Sequence, residues 1–173
     1  IFSDAGSCVF AENKEDLMLV QSILNCGLAL RLFKVLSPTI TFESGAIRKL
    51  PLPTLSDINK GRITELSISL VEIHKEDWEN YEASLGFTKI AFDEELHTSE
   101  SIVKCWESLT NTTREIVNKV VILQEKIEEI LSLAYDIEFE SNSSVTLNRT
   151  RYIEHNSKVI FVTELVSYAI GCM

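Results

Sequence analysis

Apolar residues recur at helical spacing along much of the chain, and the longest run of that pattern lies between Ile102 and Ala134. There Ile102, Trp106, Leu109, Thr113, Ile116, Val120, Leu123, Ile127, Ile130 and Ala134 alternate steps of four and three, with Thr113 the one polar member. Such steps keep every member on one side of a helix, so the pattern predicts a single helix with a continuous apolar seam. Within 55–82, Ile63, Leu66, Leu70 and Ile73 repeat the spacing. The two seams predict an antiparallel helical hairpin whose crossover is the acidic stretch Asp93-Glu94-Glu95. A coiled coil between two copies of the chain would satisfy the same pattern.

Shorter elements flank this pair. Ile1 to Phe10 has apolar ends around a Ser-Asp-Ala-Gly-Ser centre, which predicts strand, tight turn at Gly6, and strand. Asn13 is placed to cap a helix with Glu15 and Asp16 in its first turn and Leu17, Val20, Ile23 and Leu24 on its apolar side. Asn25 and Gly27 interrupt the pattern. A second helix then carries Leu28, Leu30, Leu32, Phe33 and Leu36 until Pro38 stops it. Thr39 to Phe42 alternates like a short strand, Ser44 can cap one turn running to Leu50, and Pro51-Leu52-Pro53 is extended. Ser56 with Asn59 forms a partial capping box, and Leu85-Gly86-Phe87 breaks the periodicity before Thr98 to Glu100 open the long helix. Ser141 to Asn148 is polar and reads as a loop. The stretch 157–173 predicts a last helix with Val159, Val162, Val166 and Tyr168 as buried candidates. The expected class is α+β, predominantly α-helical: a small N-terminal strand element, a long antiparallel helical hairpin and a C-terminal helix.

Composition narrows the function more than the fold. With 173 residues, 45% of them apolar and only six Gly and three Pro, the chain can bury a core without staples. Cys8, Cys26, Cys105 and Cys172 lie far apart with no Cys-x-x-Cys pair or nearby His cluster, so a metal site has no support and buried, reduced thiols are expected. The Asn-x-Ser/Thr triplets at Asn111, Asn142 and Asn148 follow no signal peptide and carry no weight. No apolar run reaches a membrane span's length, so the expectation is a cytoplasmic protein with no membrane partner, cut from a longer polypeptide.

Catalytic patterns are missing. His74, His97 and His155 are isolated, no Gly-rich phosphate loop occurs, and the carboxylate pairs Glu76-Asp77 and Glu128-Glu129 read as solvated helix faces. The formal charge of −10 repels a polyanion on average, yet it is unevenly spread. Between Arg31 and Arg62 six basic residues meet two acidic ones, and between Glu72 and Glu100 nine acidic residues meet two basic ones. The basic third is where a phosphate backbone could be held, with Lys34, Arg48, Lys49, Lys60 and Arg62 as the DNA-binding candidates.

Particular strings then resemble a known family. "FSDAGSCVF" followed by "LVQSILNCGLALRLFKVLSPTITFESGAIRKLPLP" is similar to the end of the recognition region in restriction-modification adenine methyltransferases, through Leu24, Asn25, Leu36, Pro38, Thr39, Phe42, Gly45, Ile47, Leu50 and Pro51. "VEIHKEDWENYEASLGF", "EKIEEILSLAYDI" and "ELVSYAIGCM" resemble, in the same order, signatures of the PglX methyltransferases of BREX phage-defence systems. The junction departs from the family at Ser84-Leu85-Gly86-Phe87. The resemblance implies a parent enzyme that uses S-adenosylmethionine to methylate adenine N6 in double-stranded DNA, flipping the base into a Rossmann-like domain with an Asn-Pro-Pro-Tyr motif. That motif is absent from this sequence, so no catalytic or cofactor-binding residue is carried over. By this resemblance residues 1–53 end a target-recognition region, 54–140 form a helical spacer, and 141–173 a loop and final helix. The implied role is non-catalytic DNA recognition or positioning; the alternative is a helical module that docks other defence proteins or a second copy.

Overall fold

The structure, a computed structural model, describes residues 8–36, 44–137 and 157–171. Among these residues the protein is all-α, with seven helices: α1 (Lys14–Asn25), α2 (Gly27–Leu36), α3 (Ser44–Ile47), α4 (Asp57–Glu79), α5 (Asp93–Thr98), α6 (Ile102–Tyr135) and α7 (Lys158–Gly171). The α+β expectation is therefore corrected. Residues 8–10 at the end of the expected strand pair have no regular structure, and the remaining strand positions, 1–7 and 39–42, lie outside the described residues. So does the expected loop at 141–148. The physical reason is compositional: apart from those short alternating stretches, the apolar residues recur at a helical period, which offers no sheet a face to pack on.

Local signals account for most helix ends. Asn13 Oδ1 accepts the Asp16 N–H at 2.8 Å, and its Nδ2 donates to the Asp16 carboxylate at 2.8 Å, so the expected cap of α1 is present. Cys26 is extended, with ψ 155°, and the axes of α1 and α2 turn by 68° across it. The Ser56 hydroxyl accepts the Asn59 N–H at 3.3 Å at the start of α4. At α6 the cap is Ser101, whose hydroxyl accepts the Lys104 N–H at 3.3 Å, one residue beyond the expected opening. The acidic stretch at 93–95 is the first turn of α5 rather than a loop, a placement the helix dipole favours.

The chain divides into two compact units, one of Ile1–Ser69 with Leu123–Asn142, the other of Leu70–Ile122 with Ser143–Met173. Both α4 and α6 run through the boundary. In the first unit α1 packs on α2 and the buried apolar residues include Ile23, Cys26, Phe33, Ile63, Ile127 and Leu131. In the second the core is Ile90, Phe92, Cys105, Leu109 and Phe161. Phe161 lies 4.5 Å from Phe92 and 5.3 Å from Trp106, centroid to centroid.

The long seam needs two corrections. Ile102 is exposed and Cys105 takes the first buried place, because capping at Ser101 leaves Ile102 in the unpaired first turn. At the far end the buried side widens to include Gln124, Glu128 and Leu131. Val159, Val162 and Val166, expected inside, are exposed on α7, whose inward side is Phe161, Leu165 and Tyr168. Cys8 is exposed, while Cys26 and Cys105 are buried and none of these three is in a disulfide.

Candidate nucleic-acid interface

All five basic candidates lie in the first unit, and each is exposed. Lys34 sits in the last turn of α2, where a cation complements the helix dipole, and Arg31 stands one turn before it on the same side. Arg48 and Lys49 occupy the turn after α3, closed by the Lys49 N–H to the Ala46 carbonyl at 3.1 Å. Lys60 and Arg62 follow the start of α4. Two positions apart on a helix, Lys60 and Arg62 point away from each other, so α4 offers one cation to either side. Among the described residues Lys34, Arg48, Lys49, Lys60 and Arg62 make no ion pair. In the other unit Lys75 pairs with Glu79 at 3.5 Å, Lys89 with Glu94 at 2.6 Å, and Lys104 with Glu100. The Lys89 ammonium is held above its ordinary pKa and the Glu94 carboxyl below its own by that mutual hydrogen bond.

The basic elements are held by polar ties that cross the first unit. Ser22 on α1 and Ser67 on α4 share a short hydrogen bond between their hydroxyls. Cys26 caps α2, its sulfur accepting the Ala29 N–H at 3.4 Å. A thiolate-poor sulfur is a weak acceptor, and the next orphan donor, the Gly27 N–H, is taken by Glu128 Oε1 on α6 at 3.1 Å. Gln124 Nε2 reaches the same oxygen at 3.5 Å. Burial raises the Cys26 thiol above its usual pKa, with the Glu128 charge adding to the effect, so the sulfur stays protonated at neutral pH. Tyr135, at the end of α6, donates its hydroxyl to the Pro51 carbonyl at 2.7 Å and so fixes the extended 51–53 stretch between the Arg48-Lys49 turn and α4.

Glu128 is the residue that pattern reading missed. Its neighbour Glu129 is solvated as expected, but Glu128 is only 4% exposed, and Asp77 is likewise buried beside exposed Glu76. A signal existed: Glu128 stands four residues after Gln124 and one after Ile127, on the edge of the seam. His74 is half-buried, which lowers its pKa, whereas His97 is exposed and lies 3.8 Å from Asp93. His155 lies outside the described residues. Among the described residues no group of three His, Cys, Asp or Glu side chains could hold a metal, and no single helix is long and apolar enough to cross a membrane.

Two of the strings that carry the resemblance meet in the second unit. Ser167, in the "ELVSYAIG" stretch, donates to Glu82 Oε2 at 2.7 Å at the end of the "KEDWENYE" stretch, beside a shallow pocket lined by Tyr81, Ile90 and Thr163.

Tyr135 makes the first unit sensitive to alkali. Burial pushes its phenol up to about 12, against roughly 10 in an unfolded chain. The folded state therefore keeps the proton longer, so this contribution is constant below pH 10 and is lost as pH rises from 10 to 12. Tyr135→Phe should remove that part of the alkaline loss and, with the bond to Pro51 gone, lower neutral stability by about 0.5–1.5 kcal/mol. Urea unfolding at pH 7, 9.5 and 11.5 checks both; an unchanged alkaline slope in the variant would show the phenol to be fully hydrated.

No protein-family model matches the chain. Its curated relatives are adenine-specific methyltransferases. It is similar to adenine-specific methyltransferase BrxX of Escherichia coli O9:H4 (strain HS), 26% identical over 188 residues that cover 99% of this chain and 15% of that protein. It is also similar to adenine-specific methyltransferase PglX of Lacticaseibacillus casei (strain Zhang), 23% identical over 181 residues, 100% of this chain and 14% of that protein. The resemblance to PglX-type methyltransferases holds over nearly the whole chain, and the chain spans about 15% of the length of the relatives it matches.

Proposed function

We propose that this chain is a non-catalytic segment that recognises or positions double-stranded DNA within a cytoplasmic adenine-N6 methyltransferase of a BREX-type phage-defence system. In this reading residues 1–53 close a target-recognition region, α4 and α6 form an antiparallel hairpin spacer within 54–140, and 141–173 lead out of it. The observation that carries it is the set of exposed cations Lys34, Arg48, Lys49, Lys60 and Arg62, unpaired among the described residues, in a single unit whose elements are tied together by Ser22, Glu128 and Tyr135. Unpaired cations can release counterions from a phosphate backbone without first breaking an internal bond. Phosphate contacts of this kind fix register and orientation and leave base reading to other groups.

S-adenosylmethionine is the cofactor implied for the whole polypeptide. The sequence of this segment has no Asn-Pro-Pro-Tyr, so no residue of it is proposed to hold the cofactor. The test is charge reversal of Arg48 and Lys49 in the full-length methyltransferase. Binding to target and non-target duplex should weaken alike, and the slope of log affinity against log salt should flatten by about one unit per lost phosphate contact. A change of sequence preference at constant slope would assign these side chains to base edges. No change in either quantity would remove them from the DNA interface and leave docking of other defence proteins as the better account.

A further inference from the structure

The stretch between α3 and α4 carries two exposed cations and is pinned at few points. Ala46 and Leu55 are buried near its two ends, whereas Arg48, Lys49 and Leu52 between them are exposed. Two turn bonds, from the Lys49 N–H to the Ala46 carbonyl and from the Leu50 N–H to the Ile47 carbonyl, each 3.1 Å, wind the cations onto the end of α3. The chain then runs into Pro51 and Pro53, which have no N–H to offer. Among the described residues, the bond from the Tyr135 hydroxyl to the Pro51 carbonyl is the one hydrogen bond that joins 48–55 to anything beyond α3.

The donor side of that bond is fixed as well. The Asp136 N–H donates to the Leu133 carbonyl at 3.3 Å and the Ile137 N–H to the Ser132 carbonyl at 3.2 Å, with Asp136 in the left-handed region at φ 52°. These bonds close the end of α6, so the Tyr135 phenol projects from a finished last turn. We infer that Tyr135 is a positioning residue for DNA binding, which acts through the Pro51 carbonyl to hold the Arg48-Lys49 turn in the arrangement that meets a phosphate backbone. The inference rests on reading Arg48 and Lys49 as phosphate contacts.

Pre-organisation is the physical reason. A loop that is free in the unbound protein must be ordered when it binds, and that ordering subtracts from affinity. Without the tie, residues 47–54 would be pinned only at their ends. The core gains little from it, because Leu52 beside the bond stays exposed and the Tyr135 ring is only half-buried. What the bond orders is the segment that carries the cations.

Duplex binding by the full-length polypeptide tests this through a double-mutant cycle of Tyr135→Phe with the pair Arg48→Gln and Lys49→Gln. Tyr135→Phe alone should weaken binding by about two- to tenfold, the equivalent of one net hydrogen bond. The loss should lie in the dissociation rate, since the charges that steer encounter are unchanged. With both cations already replaced, the same substitution should have no further effect. A merely structural role would instead leave a smaller fraction of molecules able to bind, with the dissociation rate of the bound ones unaltered. That outcome, an undiminished affinity, or an equal loss in both backgrounds would overturn the inference. The two claims fail differently. If the paired Gln substitutions leave affinity and its salt dependence unchanged, the DNA-contact reading falls and the positioning role with it, whereas a loss on removing the cations that does not depend on Tyr135 defeats only the positioning role.

Discussion

Replacing Phe161 with Ala should lower the stability of the second unit by about 3–5 kcal/mol, the range for deleting a large buried aromatic side chain. The ring is 2% exposed, so its loss leaves a cavity rather than a dimple. It touches Phe92 and Trp106 with ring centroids 4.5 and 5.3 Å away, and these tilted contacts add to the cost of the lost apolar area. Few neighbours can move in to fill the space, because Phe92 and Cys105 are already fully enclosed. Both tryptophans, Trp78 and Trp106, belong to this unit, so tryptophan fluorescence during urea unfolding reads it selectively. A loss below about 1 kcal/mol would mean that the ring is solvated and that α7 does not seat on this core.

The second large effect is expected at Glu128. Glu128→Ala leaves the Gly27 N–H buried without an acceptor at the start of α2, a cost of about 1–3 kcal/mol, to which the vacated side-chain volume adds. An opposing contribution exists, since Glu128 Oε2 is itself buried without a hydrogen-bond partner among the described residues, and removing an incompletely satisfied carboxylate relieves that cost. Glu128→Gln separates the two. Its carbonyl can still accept from Gly27 while the charge is gone, so it should be the milder change. The signal belongs in circular dichroism and in amide exchange of α2, while the tryptophans of the other unit stay close to their native emission until higher denaturant. If Gln proves as damaging as Ala, the charge on the α2 dipole matters more than the hydrogen bond.

The helices were legible from the sequence because their signals are local. Asn13 caps α1 through its own first turn, Ser56 does the same for α4, and the break at Cys26 follows from Asn25 and Gly27. Burial was less legible, since it depends on which neighbour arrives. Leu109, Val120 and Ile127 are inside as their spacing predicts, but Ile102 and Val162 obey the same period and are exposed. Glu128 shows the converse: its place at the edge of the seam separates it from Glu129, but its role depends on a backbone N–H 101 positions away in sequence. The basic candidates were found by charge counting, which sees composition along the chain. That they make no ion pair among the described residues is a tertiary property that counting cannot supply. The expected strand class failed for a related reason, because a short stretch such as 8–10 fits more than one conformation when no partner strand is identified.

That each unit is made of two separated stretches of chain has a consequence for synthesis on the ribosome. The first unit cannot close when its leading helices emerge, because Glu128 and Tyr135, which hold α2 and Pro51, arrive only with the end of α6. The second unit waits longer still. Its core residues Phe92, Cys105 and Leu109 remain uncovered until Phe161 appears, about two dozen residues after the last tie of the first unit, an interval of roughly one to five seconds at ordinary elongation rates. During that interval the nascent chain carries an open apolar surface beside a completed neighbour. Chaperone capture and co-translational aggregation should therefore concentrate on chains stalled between residues 137 and 161.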